Sequence, residues 1–176
     1  HLTGFTIIEI LVVVALVTLL ALIGTINILR TRTTGNETVA LSNLRQLAVS
    51  IQVYNNVNNS YPAGFTWKKS MYGVRCGESY PPVPDYGPGQ FCLPLTGGTS
   101  DVVLGYVYRY KGAAVLAPAT SYDLTSDPQT PSVTGTRAFY VNQTMAIRHC
   151  VCPATGGCSG ATSVSPTIDQ AAIACP

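Results

Sequence analysis

Apolar and polar positions divide the chain into an apolar stretch, an amphipathic stretch and a mixed remainder. Residues 10–29 carry no charged side chain. A helix of that length rises about 30 Å, the thickness of a bilayer core. A secretory signal peptide is the alternative, but its apolar region is shorter and a small-residue cleavage site follows it. The sequence after Ile26 reads Asn-Ile-Leu-Arg and has no such site. We therefore predict a retained apolar helix that anchors the rest of the chain.

The helical pattern continues beyond the apolar stretch. Between residues 36 and 56, apolar residues recur at steps of three and four, which is typical of an amphipathic helix that buries one face. This stripe comprises Leu41, Leu44, Ala48 and Ile51, widened by Leu47 and Tyr54. Glu37 and Arg45 are expected on the polar side. Residues 33–36 are expected to loosen the helix, with Asn36 as a cap of its second part.

The remainder predicts a small β-rich head. The stretch "NNVNNSYPAG" contains helix breakers, and residues 65–100 read as an irregular, proline-rich loop with little core of its own. Alternation places Tyr106, Tyr108 and Tyr110 on one strand face, which we expect to pack on the amphipathic helix. Further strand candidates are residues 113–117, Ala138–Val141 and Met145–Cys150.

These elements predict an α+β fold. A long N-terminal helix has a protruding apolar half and an amphipathic half, and the amphipathic half packs on a small antiparallel sheet of three or four strands. We divide the chain into an apolar helix with a short leader remnant at 1–30, an amphipathic half at 31–59, and a head with disulfide-stapled loops at 60–176.

The composition indicates the compartment in which the chain folds. The net charge of +2 does not indicate a nucleic-acid partner. All six cysteines follow residue 75, and their even number is typical of disulfides made in an oxidising compartment. Six cysteines allow 15 pairings. The sequence does not choose among them, and our working set is Cys76–Cys92, Cys152–Cys158 and Cys150–Cys175. A zinc site is the alternative, but the spacing of these cysteines differs from that of common zinc motifs.

No enzymatic or cofactor site is predicted. His149 is next to Cys150, but disulfides that use all six cysteines leave no thiol nucleophile. Glu78, Asp123 and Asp127 are scattered acids, and we interpret "YDLTSDPQT" as a turn rather than a metal site. The cations Lys68, Lys69 and Arg75 are expected to be solvated.

The N-terminal sequence "GFTIIEILVVVALVTLLALIG" resembles the signature of type IV pilins and of the pseudopilins of type II secretion. That signature is a Gly, then Phe, Thr, two apolar residues, a Glu and a long apolar run. Residues 4–10 match it position by position, from Gly4 and Phe5 to Glu9. Two later stretches, "YNNVNNSYPAG" and "AFYVNQTMAIRHC", are more weakly similar to the end of the long helix and the last hairpin of these proteins.

The resemblance implies how the chain is processed and assembled. A prepilin peptidase would cut between Gly4 and Phe5 and methylate the new amino group. Subunits would then leave the membrane and stack their apolar helices. A carboxylate in an apolar segment is costly, and no cation lies near Glu9 in the sequence. We expect the amine of Phe5 to pair with it. The alternative is that Glu9 interacts only with the dipole of its own helix. Gly24 is our candidate for a point where the helix stretches or melts.

The function implied is that of a major pilin. Its partners would be identical subunits, the peptidase and the pilus assembly machinery. It would lie in the inner membrane before assembly and in an extracellular filament afterwards, serving adhesion, motility or DNA uptake. The alternatives are a minor pilin, a pseudopilin of a secretion system, and a monomeric membrane-anchored module that binds surfaces.

Overall fold

The first element is a long helix with defined ends. The computed structural model describes residues 4–64, 67–72, 85–91, 100–112, 119–158 and 160–176, except for the side chains of residues 23–30 and 100. Helix α1 spans Ile7–Asn58, 52 residues, which corresponds to about 78 Å at 1.5 Å per residue. Thr6 is its N-cap. Asn59, in the left-handed conformation with φ 54°, ends it by donating its backbone N–H to Asn55 O.

The expected loosening at residues 33–36 is wrong. Helix α1 is continuous there, and Asn36 does not cap a second helix. Its side-chain Nδ2 instead donates to Thr134 O at 3.1 Å. The helix is thus connected to the head at this point.

The head contains a six-stranded sheet whose spatial order follows the chain. Its strands are β1 Ser100–Val103, β2 Tyr106–Gly112, β3 Tyr122–Pro128, β4 Arg137–Asn142, β5 Arg148–Val151 and β6 Ile173–Ala174. Neighbours pair antiparallel, except that β6 is parallel to β5. The α+β class and the disulfides are confirmed, and the prediction of only three or four strands is wrong.

The structure corrects one turn prediction and one strand boundary, and one further strand candidate falls on residues that it does not describe. The segment interpreted as a turn, "YDLTSDP", is β3, because it fills the central position between β2 and β4. The strand expected from Met145 begins at Arg148, since Met145 has φ 61° and belongs to the preceding turn. The candidate strand at residues 113–117 lies outside the described residues.

The inner face of the sheet packs on α1, as predicted for the tyrosine stripe. Tyr106, Tyr108 and Tyr110 are at most 1% exposed. Tyr108 Oη donates to Ala40 O at 3.4 Å, and Tyr110 Oη donates to Pro62 O at 2.7 Å. From α1, the core receives Ala40, Leu44, Leu47, Ala48 and Ile51, with Leu41 and Tyr54 partly buried. Each hydroxyl therefore has a hydrogen-bond partner while its ring fills the core.

Described parts of residues 65–100 contribute to this core, so the prediction of little core is wrong for residues 67–72 and 86–91. Helix α2, Trp67–Met71, and a 3-10 turn, Gly89–Phe91, lie here. Trp67 stacks on Tyr110 at 5.2 Å between ring centroids, and Phe91 contacts the edge of Tyr108 at 4.8 Å. Lys68, expected to be solvated, is buried and forms an ion pair with Asp101 of β1.

A disulfide-linked C-terminal tail covers the outer face of β4 and β5. Cys150–Cys175 and Cys152–Cys158 are bonded, which confirms two of the three working pairs. Their sulfurs join a second small core with Ala138, Tyr140 and Ala161. The third pair, Cys76–Cys92, lies outside the described residues.

Candidate assembly surface

The first turn of α1 is built on a capping pair. The Thr6 side chain accepts a hydrogen bond from the backbone N–H of Glu9 at 3.3 Å. A Thr followed three residues later by Glu is the sequence pattern of a helix N-terminus, where a negative charge also interacts well with the helix dipole. This geometry supports the alternative prediction, in which Glu9 interacts only with the dipole of its own helix. The Thr6–Glu9 capping pattern was not recognised in the sequence.

The helix surface after this turn is apolar and uncovered. Every Phe, Ile, Leu and Val side chain from Phe5 to Leu22 is between 51% and 83% exposed. Burying one such side chain is worth about 1.5–3 kcal/mol. The helix already shields part of each side chain, so covering the segment would yield on the order of 10 kcal/mol. Exposed apolar surfaces of this kind are typical of regions that contact another protein or a membrane.

Two polar side chains lie within residues 7–22 of this surface, Glu9 and Thr18, and they differ in their hydrogen bonding. Thr18 Oγ1 hydrogen-bonds to Val14 O and Ala15 O, both at 2.9 Å, so its hydroxyl is satisfied inside its own helix. The Glu9 carboxylate has no hydrogen bond or ion pair with any residue that the structure describes. Glu9 is therefore the one group in residues 7–22 whose burial in an apolar environment requires an external partner.

The other residues singled out in the sequence lie at the start of this surface or just after it. Gly4 and Phe5 are exposed and precede the helix, and a Cβ built on Gly4 meets nothing within 4 Å. Gly24 lies inside α1, where the backbone is helical. Their roles in cleavage, methylation and melting stay predictions.

The junction between α1 and the head is held by a buried carboxylate that the sequence analysis misplaced. Glu37 was expected on the polar side, but it is 6% exposed. Its Oε1 accepts hydrogen bonds from Thr136 N at 2.7 Å and Thr136 Oγ1 at 2.6 Å, and its Oε2 accepts from Arg137 Nε at 2.9 Å. An acidic residue in a polar turn of helix gives no local sign of a partner a hundred residues away.

The charge of Glu37 is stabilised by these contacts. Burial raises the pKa of a carboxyl, but here the hydrogen bonds from Thr136 and Arg137, together with the guanidinium charge, outweigh it. The pKa of Glu37 is therefore lowered from its ordinary value of 4.5. Glu37 is ionised at neutral pH and connects α1 to the start of β4.

The other side chains considered for chemistry have structural surroundings. Cys150 is bonded to Cys175, so it cannot serve as a nucleophile beside His149. Burial, with a smaller contribution from Arg137, lowers the pKa of His149. Asp123 accepts a hydrogen bond from the Tyr140 hydroxyl, and Asp127 is paired with Arg109. Glu78 and Arg75 lie outside the described residues.

One cluster of potential metal ligands is found in the part of the chain that the structure describes. It consists of Cys152, Cys158 and Cys175, whose sulfurs lie within 4.8 Å of one another. All three sulfurs belong to the two disulfides. A disulfide sulfur is not the thiolate that binds zinc, so the cluster is explained by disulfide bonding.

Among the described residues, no helix combines the length and the hydropathy needed to cross a membrane.

Comparison of this chain with protein-family models, with curated proteins and with solved structures found no match.

Proposed function

We propose that this chain is a filament subunit, the major pilin of a type IV pilus. Its apolar N-terminal helix half would protrude from the head and pack against the same segment of identical subunits. The observation that carries the proposal is the uncovered apolar surface from Phe5 to Leu22. It lies on a helix whose later part is built into a folded, disulfide-linked head.

The energetics of the surface support self-association. A segment that gains on the order of 10 kcal/mol from being covered needs either lipid or protein around it. A bilayer and a bundle of identical helices are both apolar, so transfer from one to the other is feasible. The subunit would thus lie in the inner membrane before assembly and in an extracellular filament afterwards. The filament would serve adhesion, motility or DNA uptake.

Glu9 is the residue that would make the packing of subunits specific. Its carboxylate has no partner in the described part of its own chain, whereas the Thr18 hydroxyl is satisfied locally. Cleavage after Gly4 by a prepilin peptidase would create an amine on Phe5. An amine from the same or a neighbouring subunit would then neutralise Glu9. Pairing of this kind sets a register, because a buried charge without a partner is strongly destabilising.

The test compares two substitutions of a polar residue by valine in the same helix. Glu9→Val should abolish filaments seen by negative-stain microscopy on producing cells, while disulfide formation and the head's circular dichroism stay unchanged. Thr18→Val is the matched control and should assemble normally, because its hydroxyl bonds only to its own backbone. Mass analysis of the mature protein should find a methylated Phe5 at its N-terminus.

Three results would contradict the proposal. The first is normal filaments from Glu9→Val. The second is a purified native subunit that remains monomeric in every condition. The third is loss of protein secretion without loss of surface fibres when the chain is deleted, which would favour a pseudopilin instead.

A further inference from the structure

The turn between β1 and β2 exposes a bulky apolar residue in a strained conformation. The two residues between the strands, Leu104 and Gly105, have φ 49° and 77°. Hairpin turns with two positive φ values favour Asn-Gly, because most side chains disfavour the left-handed region. Leu104 nevertheless occupies the first position and is 63% exposed. Strain of this kind at an exposed residue is a reason to look for a function.

A second exposed apolar residue lies on the neighbouring loop. The segment between β3 and β4 contacts the turn, since Gln129 N donates to Gly105 O at 2.8 Å. A Cβ on Gly105 would lie 2.9 Å from the Thr134 methyl group. Val133, one residue earlier, is 66% exposed. Neither loop, 104–105 nor 129–136, contains a charged residue. We call Leu104 and Val133 the loop-tip pair.

The loop-tip pair lies at the end of the head from which the apolar helix emerges. Along β2, Tyr108 hydrogen-bonds to Ala40 O, whereas Tyr106 hydrogen-bonds to the carbonyl of Arg137, the partner of Glu37. Strand β2 therefore runs away from the apolar end of α1. Two strand residues advance about 6.6 Å, which equals about four helix residues.

The same conversion gives the position of Leu104 along the axis of α1. Two residues before Tyr106, it lies near the level of residue 33 of α1. The last residue of the predicted apolar stretch is Leu29, so the vertical separation is about 6 Å. The polar interface of a bilayer extends about 5–8 Å beyond the hydrocarbon core on each side. With the apolar helix inserted, Leu104 would lie within that interface.

We propose that the loop-tip pair docks the head on the surface of a phospholipid bilayer while the helix is inserted and before the subunit enters a filament. This rests on the proposed function, because it requires the apolar helix to be in the membrane. Apolar side chains on uncharged loops suit the boundary between headgroups and acyl chains. Arg32 is one residue from the level derived for Leu104 and is exposed, so its charge would attract anionic headgroups.

Quenching by brominated lipid tests the contact in the full-length chain. The protein is reconstituted in phosphatidylcholine–phosphatidylglycerol vesicles with brominated acyl chains, with tryptophan introduced at one position per variant. Trp67 is buried and common to all variants. Leu104→Trp and Val133→Trp should be quenched at least twofold more than Val164→Trp, a control in the tail that is 87% exposed.

A fourth variant, Leu11→Trp, separates this inference from the proposed function. If Leu11→Trp is quenched but Leu104→Trp and Val133→Trp match the tail control, the docking inference is overturned and the inserted helix stands. If Leu11→Trp is not quenched, the inserted helix fails as well, and both are overturned.

The last variant is Leu104→Asn. It gives the turn the favoured Asn-Gly sequence, so the head should remain folded. In this background, quenching of Val133→Trp should fall to the level of the tail control. If Leu104→Asn instead lowers filament yield and leaves that quenching unchanged, the loop-tip pair contacts a second subunit, and lipid docking is refuted.

Discussion

The Glu37 junction allows a sharp test of how the helix is fixed to the head. Glu37→Gln keeps the size of the side chain and an acceptor for Thr136, but it removes the charge that faces Arg137. A hydrogen bond to a charged group is worth about 1.5–3 kcal/mol. The Arg137 side chain is 39% exposed, so water will replace part of what it loses. We expect Glu37→Gln to lower the free energy of unfolding by about 1–2 kcal/mol.

The pH dependence of this loss follows from the lowered pKa of Glu37. The folded state binds the Glu37 proton less tightly than the unfolded state does. The stabilisation is therefore present above the ordinary pKa of 4.5 and is lost as the pH falls through the lowered folded value. The difference between wild type and Glu37→Gln should thus be large near neutral pH and small in strong acid.

The assay is urea unfolding followed by circular dichroism, with the full chain in mild detergent micelles and the disulfides oxidised. It is run at about pH 7 and at about pH 3. Asp169→Asn is the matched control, because Asp169 is exposed and should change stability by less than about 0.5 kcal/mol. The reasoning is refuted if Glu37→Gln behaves like the control at neutral pH, or if its loss is the same at both pH values.

Two further predictions concern the outer face of the sheet. Burial raises the pKa of Asp127 to about 6, against the opposing effect of Arg109. The folded state therefore binds the Asp127 proton more tightly than the unfolded state does. The resulting stabilisation is greatest below the ordinary pKa of 3.8 and is lost as the pH rises through about 6. Asp127→Asn should remove that decline, worth up to about 3 kcal/mol, in unfolding curves from about pH 4 to 7; an unchanged decline would refute it. Replacing Cys150 and Cys175 by alanine opens a loop with a sequence separation of 25 and should cost about 3.5 kcal/mol by chain entropy. Loss of the shorter Cys152–Cys158 loop should cost about 2 kcal/mol in the same urea assay, and the opposite order would contradict the loop-length argument.

Local patterns in the sequence were sufficient where a single element carries the information. Steps of three and four identified the buried face of α1 at Leu44, Leu47, Ala48 and Ile51, because helical periodicity places these residues side by side. Alternation likewise identified the tyrosine face of β2. The roles of Gly4 and Phe5 in processing, of Glu9 in assembly and of Gly24 in helix melting stay predictions, since they concern events beyond one folded chain.

Contacts between residues far apart in the sequence explain two features that local patterns did not predict. Glu37 appeared solvent-facing, yet it is buried because Thr136 and Arg137 supply its hydrogen bonds from β4. The segment "YDLTSDP" contains turn-forming residues, yet it is the third strand of the sheet, because β2 and β4 take up its backbone groups on both sides.

The sequence by itself determined that the first part of this protein is an apolar helix with one carboxylate near its start, followed by an amphipathic helix and a cysteine-rich body. Only the tertiary structure decided that Glu37 has buried hydrogen-bond partners in Thr136 and Arg137, whereas the Glu9 carboxylate has none among the residues that the structure describes. It also decided which strained turn lies beside the emerging helix. The physical reason is that hydropathy is a property of each residue, whereas hydrogen-bond satisfaction and height along an axis depend on which distant residues are neighbours.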